Sequence, residues 1–184
     1  EDISAYVPAP ARAMPREQIA AGRGPVTMEK LEEALLSRLR QLKPEDLRAL
    51  PDATEGLENR FYKAMRTEES VEAILSAVKT KRYPLSRLRR MLLCAALGVR
   101  ADMGGARPGY ARLLASTARG RTLLRAISEH IPVITKPADG RTLPPADRAI
   151  FELTADARDL YVLGYPVMSE RKGGSDWRTS PATL

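Results

Sequence analysis

Leucines at 31, 35, 39 and 42 recur every three or four residues, the spacing that gathers apolar side chains on one face of an α-helix. Thr27 is available as N-cap, and Glu29 sits in the first turn, where a carboxylate suits the helix dipole. The pattern predicts a helix over 28–43. Pro44 in KPEDLRAL fits a first-turn position and opens a short second helix, which stops before Pro51. Leu57, Phe61 and Ala64 mark a third over 55–65. Thr67, followed by Glu68 and Glu69, predicts the cap of a fourth, in which Val71, Ile74, Leu75 and Val78 form an i, i+3, i+4, i+7 stripe. A fifth starts near Pro84 and ends at Gly98, a favoured residue just past a helix terminus. Leu85, Leu88, Leu92 and Ala95 face inward on it, which leaves Arg87, Arg89 and Arg90 outside.

The pattern changes after the loop ADMGGARPG. YARLLAS (110–116) is short and apolar, GRTLLRAISEH (120–130) is helical, and IPVITK (131–136) is β-branched. Strand, helix and strand predict a small βαβ unit, or else two edge strands joining a sheet elsewhere. LPPADRAIFELTADARDLYVL returns to helix, and the tail GYPVMSERKGGSDWRTSPATL is polar, with Trp177 as its one candidate anchor. Residues 1–26, with four prolines and two glycines, read as an extended linker. The resulting fold class is α+β, mostly α-helical. A basic helical region over 27–100 precedes a small α/β region with a helix over 101–166, and a polar tail follows over 167–184.

Charge sharpens this picture. Residues 79–125 hold twelve bases (Lys79, Lys81, Arg82, Arg87, Arg89 and Arg90 among them) and one acid, Asp102, while the remainder holds 18 bases and 22 acids. A segment at +11 in a chain of net charge +7 points to a polyanionic partner, nucleic acid ahead of a membrane or an acidic protein. The plainer alternative is a solvated basic surface. The longest apolar run, 91–97, is far short of the ~20 residues that cross a bilayer. No secretion signal is visible, and a single cysteine suits a reducing, cytoplasmic setting. The chain begins at Glu1 and reads as a piece of something longer.

Several chemistries are excluded. One histidine, His130, permits neither a paired-histidine metal site nor an H-x-G-H signature, and one cysteine permits no zinc knuckle. No G-x-x-x-x-G-K-[ST] or G-x-G-x-x-G occurs, and KGGSDW lacks the strand and helix that a phosphate loop needs. His130 fits a role capping helix carbonyls, and Cys94, among Leu92, Leu93 and Ala95, fits a packed thiol. No self-sufficient active site, and no bound metal or cofactor, is expected within the chain.

What remains is a binding surface. Six of the twelve residues in KTKRYPLSRLRR (79–90) are Lys or Arg. Such cations displace counterions condensed on phosphates, and Tyr83 is placed to stack on a base. The candidate RNA-binding residues are Lys79, Lys81, Arg82, Tyr83, Arg87 and Arg90, with Arg107 and Arg112 extending the surface. Gly56 is unusual at a helix start, since glycine costs ~1 kcal/mol in a helix interior. Around it Glu55, Glu58, Asn59 and Arg60 form a polar group for positioning or interdomain contact, or simply a capping and salt-bridge face.

EGLENR (55–60), KTKRYPLSRLRR (79–90), RPGYARLLA (107–115), PVITK (132–136), DLYVLGYP (159–166) and RKGGSDWRTSP (171–181) occur in order along the chain. Together they resemble the bacterial tRNA(Met) cytidine acetate ligase family, HIGH-type nucleotidyltransferases. Pro84-Leu85 departs from the threonine-tryptophan more usual there. The resemblance implies an enzyme that activates acetate with ATP as acetyl-adenylate and acetylates N4 of the wobble cytidine in elongator tRNA(Met). It implies that activation belongs to an N-terminal nucleotidyltransferase domain absent from this sequence, so that the fragment alone is inactive and holds tRNA. Two rivals stand beside it. One is a non-enzymatic helix-turn-helix module, although KTKRYP is long for its turn and the fifth helix lacks base-reading Asn or Gln. The other is an adenylyltransferase acting on a small molecule.

Overall fold

The computed structural model describes residues 6–54, 56–104 and 107–184. Five helices, α2 (Glu32–Gln41), α3 (Pro44–Arg48), α4 (Leu57–Thr67), α5 (Val71–Val78) and α6 (Leu85–Leu97), form the first packing unit. The leucine stripe works as its spacing predicts: Leu35 and Leu39 are fully buried, together with Leu47, Phe61, Ile74 and Leu88. Helix α6 ends in a Schellman motif, with Gly98 N–H donating to Ala95 (3.3 Å) and Val99 N–H to Cys94 (2.9 Å). Gly98 has φ +77, a conformation that strains residues with a side chain.

Thr67 does not cap α5. It is the last residue of α4, where its hydroxyl has two acceptors within hydrogen-bond distance, the Lys63 carbonyl (3.2 Å) and Glu68 Oε1 (2.9 Å). The cap is Ser70, whose Oγ accepts from Ala73 N–H (3.0 Å), and Glu32 Oε1 reaches from α2 to accept from Val71 N–H (2.6 Å). The segment expected to be wholly extended contains α1 (Ala13–Ala20), a helix that buries none of its residues.

A second, smaller core gathers Ile134, Leu143 and Phe151, with Tyr110 and Trp177 packed on it. Phe151 belongs to α8 (Pro145–Val162), which also sends Leu160 into the first core and so joins the two. The apolar stretch at 110–116 splits into β1 (Ala111–Arg112) and β2 (Ala115–Ser116). Helix α7 (Ala118–Ser128) carries the chain to β3 (Val133–Ile134), parallel to β1 with Ala111 opposite Val133, which completes the expected βαβ unit. Strand β2 instead pairs in parallel with β4 (Ala182–Thr183) in the tail, Ala115 opposite Ala182. The tail is thus knitted into the fold by β4, by Trp177 and by Asp159, which accepts from Gly174 N–H (2.7 Å). Among the described residues no helix is long and apolar enough to cross a membrane.

Candidate nucleic-acid interface

Thr80 shapes the corner between α5 and α6. Its Oγ1 accepts from the amides of Arg82 and Tyr83 (3.3 Å each), and its carbonyl accepts from Tyr83 (3.2 Å). A hydroxyl used in this way substitutes for a backbone acceptor and tightens the turn. The side chains of Lys79, Lys81 and Arg82 stay exposed.

Tyr83 goes the other way. It is 5% exposed, belongs to the first core, and lies with its ring centroid 5.3 Å from the Arg87 guanidinium. No ring face is open to a base, so the stacking role read from the sequence is corrected: the turn swings this tyrosine inward. Arg87 and Arg90 are also committed. Arg87 Nη2 donates to the Asp52 carbonyl (3.0 Å) and to Thr54 Oγ1 (2.9 Å). Arg90 Nε donates to Asp52 Oδ2 (2.9 Å), and its Nη2 bonds the same oxygen. They staple α6 to the loop before α4, where Asp52 adopts φ 67, a left-handed conformation that aspartate tolerates better than most residues. Arg90 remains 61% exposed, and a pair so wet contributes only ~0–1 kcal/mol. Its outer edge can still meet a phosphate.

Lys79, Lys81 and Arg89 are exposed and bond no acid among the described residues. Arg89 is the residue that selection by sequence passed over. Its signal was available, since it follows the inward Leu88 directly and must point outward. Nearby, Arg60 Nη2 donates to the Ala77 carbonyl (3.4 Å) and ties α4 to the end of α5. Asn59 is exposed, and its Nδ2 donates to Glu58 Oε1 (3.4 Å), while Glu58 Oε2 is buried without a partner among the described residues. Glu55 lies outside the described residues.

Arg107 is exposed, but Arg112 does not extend the corner. It is 21% exposed, with Nη1 donating to Asp176 Oδ2 (2.8 Å), Nη2 to the Asp176 carbonyl (3.0 Å), and its guanidinium 5.1 Å from the Phe151 centroid. It is a strut between β1 and the tail. Asp102 is bound in both carboxylate oxygens by Arg100 (3.1 and 2.7 Å), which holds its carboxyl below the usual range. The lone acid of the basic segment is therefore neutralised locally. His130 is exposed beyond α7, and its ring forms no hydrogen bond among the described residues, so it caps nothing.

Cys94 is half-buried, and burial pushes its thiol up, opposed by the Arg90 charge and aided by that of Asp52. Since the thiolate is the nucleophile, native protein should react with a maleimide at neutral pH much more slowly than unfolded protein does. Equal rates would show that α6 leaves its thiol open.

Residues 1–176 match the HIGH nucleotidyl transferase family, and the chain belongs to that family. Its relatives narrow the comparison. The tRNA(Met) cytidine acetate ligase of Thermosipho melanesiensis is 32% identical over 94% of this chain and 46% of its own length. The ligase of the same name from Acetivibrio thermocellus is 34% identical over 88% and 41%. Crystal structures of Thermotoga maritima TmcAL, apo and bound with alpha-thio ATP, match with TM-scores of 0.85 and 0.83 at 27% and 28% identity. Each covers 97% of this chain, which in turn covers 46% and 47% of theirs. The chain spans about half the length of the curated relatives it matches.

Proposed function

We propose that this chain is the C-terminal, tRNA-holding part of an ATP-dependent tRNA(Met) cytidine acetate ligase, working with an N-terminal nucleotidyltransferase domain that carries H-x-G-H. In that reaction acetate and ATP give acetyl-adenylate and pyrophosphate. The acetyl group then passes to N4 of the wobble cytidine of elongator tRNA(Met), releasing AMP. The observation that carries the reading is the corner shaped by Thr80, at which Lys79 and Lys81 are exposed, as is Arg89 on the following helix, within the segment that concentrates the positive charge. The names of the relatives supply the kind of RNA.

The activation step, on this reading, belongs to the other domain. The glycine pair of KGGSDW is the nearest thing to a phosphate loop, and its Gly174 amide already donates to the Asp159 carboxylate. A Cβ on Gly173 would sit 3.0 Å from the same carboxylate. Negative charge occupies the place that a phosphate would need. We therefore expect the chain alone to show no acetate-dependent ATP–pyrophosphate exchange. Exchange above background would place the activating site here.

The test of the RNA reading is a single binding assay that compares tRNA with duplex DNA over a range of salt. Preference for tRNA, with affinity falling steeply as salt rises, is expected. Equal affinity would favour a helix-turn-helix module. Absence of tRNA binding by the protein would favour a small-molecule adenylyltransferase with a merely solvated basic surface.

A further inference from the structure

The 107–114 segment lies along one face of α8, and two cavities open between them. The first, about 600 Å³, is bordered by Arg107, Gly109 and Tyr110 on one side and by Asp147 and Ile150 on the other. The second, about 610 Å³, continues beyond Tyr110 past Leu113 and Leu114, with Thr154 and Arg158 on the helix side. Tyr110 borders both. Asp147, Ile150, Thr154 and Arg158 succeed one another at steps of three, four and four residues, so they share a helix face. At 1.5 Å per residue they span about 16 Å.

We propose that this groove binds a short single-stranded segment of RNA, with Asp147 accepting the exocyclic amino group of one base and Arg107 and Arg158 meeting the phosphates. The proposal rests on the tRNA reading above but uses a surface separate from the 79–90 corner. The charges of the groove carry it. Arg100 is spent on Asp102 and Arg112 on Asp176, so neither pair offers a net charge. Arg107, Asp147 and Arg158 bond no opposite charge among the described residues. The Arg158 guanidinium lies 5.8 Å from the centroid of the Tyr161 ring.

Asp147 packs against Gly109 at the wall of the first cavity. A Cβ on residue 109 would fall 2.1 Å from each of its carboxylate oxygens, so a side chain there would turn the carboxylate out of this place. It sits in the first turn of α8, and a carboxylate is an acceptor-only group. Such a group accepts from an amino group such as cytidine N4 and offers nothing to the corresponding carbonyl of uridine. Tyr110 stays a neutral phenol: burial pushes its hydroxyl up, with Arg112 opposing and Asp147 adding. Its ring makes an apolar divider between one nucleotide and the next. Bases inside a duplex are stacked and could not enter; bases of an RNA loop can be splayed into such pockets. The first cavity then takes a base with its phosphate on Arg107, and the second takes the neighbouring nucleotide with its phosphate on Arg158.

The test uses fluorescence anisotropy of the 184-residue chain with labelled hexacytidylate and hexauridylate RNA. Wild type should prefer the cytidine oligomer roughly five-fold or more, the low end of the discrimination expected of one well-placed base contact. Asp147→Ala should abolish that preference and leave uridine binding in place. Arg107→Glu and Arg158→Glu should weaken both oligomers and flatten their salt dependence by roughly 0.7 each, as expected for single strands. Arg16→Glu, on α1, should change neither. Thermal melts matching wild type show that the variants are folded, and Arg158 is exposed enough to test the groove if Asp147→Ala does not fold. Equal affinity for the two oligomers, or a preference that survives Asp147→Ala, overturns the proposal. If tRNA still binds while the groove variants change nothing, the groove alone is wrong; if tRNA itself does not bind, the reading beneath it fails too.

Discussion

Phe151→Ala should free the C-terminal segment while the helical core stays folded. Phe151 is 1% exposed and is the hub of the second core. Its ring centroid lies 5.0 Å from Trp177 in an edge-to-face contact and 5.9 Å from Tyr110, and the Arg112 guanidinium stands over it. Gly140 lies against it so closely that a Cβ there would come within 2.7 Å of the ring. Truncating a buried phenylalanine costs ~3–5 kcal/mol, part of it for the cavity left behind. A cluster with two other buried side chains, Ile134 and Leu143, has little else to hold it. Trp177 is the sole tryptophan, so its fluorescence reports on this core alone. In the variant its emission should shift to the red and become open to acrylamide, while far-UV circular dichroism keeps its helical signal. Unchanged emission would show that β4 and the Arg112–Asp176 strut hold the tail without the ring.

Reversing Lys79, Lys81 and Arg89 to glutamate should weaken tRNA binding at least tenfold at low salt, since three cations that bond no acid among the described residues become three repelling charges. For every phosphate deprived of its cation, the log–log salt dependence should flatten by roughly 0.7 to 0.9. None of the three supports an apolar stripe, and surface changes of this kind alter stability by about 0.5 kcal/mol or less. Arg12→Glu and Arg16→Glu, in and beside α1, are the controls and should do much less. Equal weakening at corner and control, or none at either, would reduce the corner to a solvated face. Arg87 and Arg90 are left out of this set, because their substitution would also cut the bonds to Asp52 and Thr54 and confuse binding with folding.

The helices of the first core were legible because burial wrote them into the spacing of Leu35, Leu39, Phe61, Ile74 and Leu88. Helix α1 was not, because it buries nothing and so leaves no stripe to read. Its Pro15 sits in the first turn, where a missing N–H breaks no helical bond. Thr67 and Ser70 are both good caps, and only the packing of α4, which runs through Thr67, decides between them. Strands of two residues carry too little alternation to show which partner they take, so the division of 110–116 between two sheets could not be seen. At the corner the sequence showed charge but not commitment. Lys79 and Arg87 are equally basic in the sequence, yet one faces water and the other is bonded to a loop 33 to 35 residues earlier.

The pairing of Ala115 with Ala182 has a consequence for a chain made one residue at a time. Helices α2 to α6 can bury their leucines on one another as soon as residue 97 is clear of the ribosome, since all five lie within residues 32–97. The β2–β4 edge must wait for residues near 183, and until then β2 presents unpaired amides and carbonyls to the cell. Leu114, 72% exposed even in the finished fold, stands directly beside that open edge. During synthesis this is where a chaperone, or another nascent chain, would find its first hold.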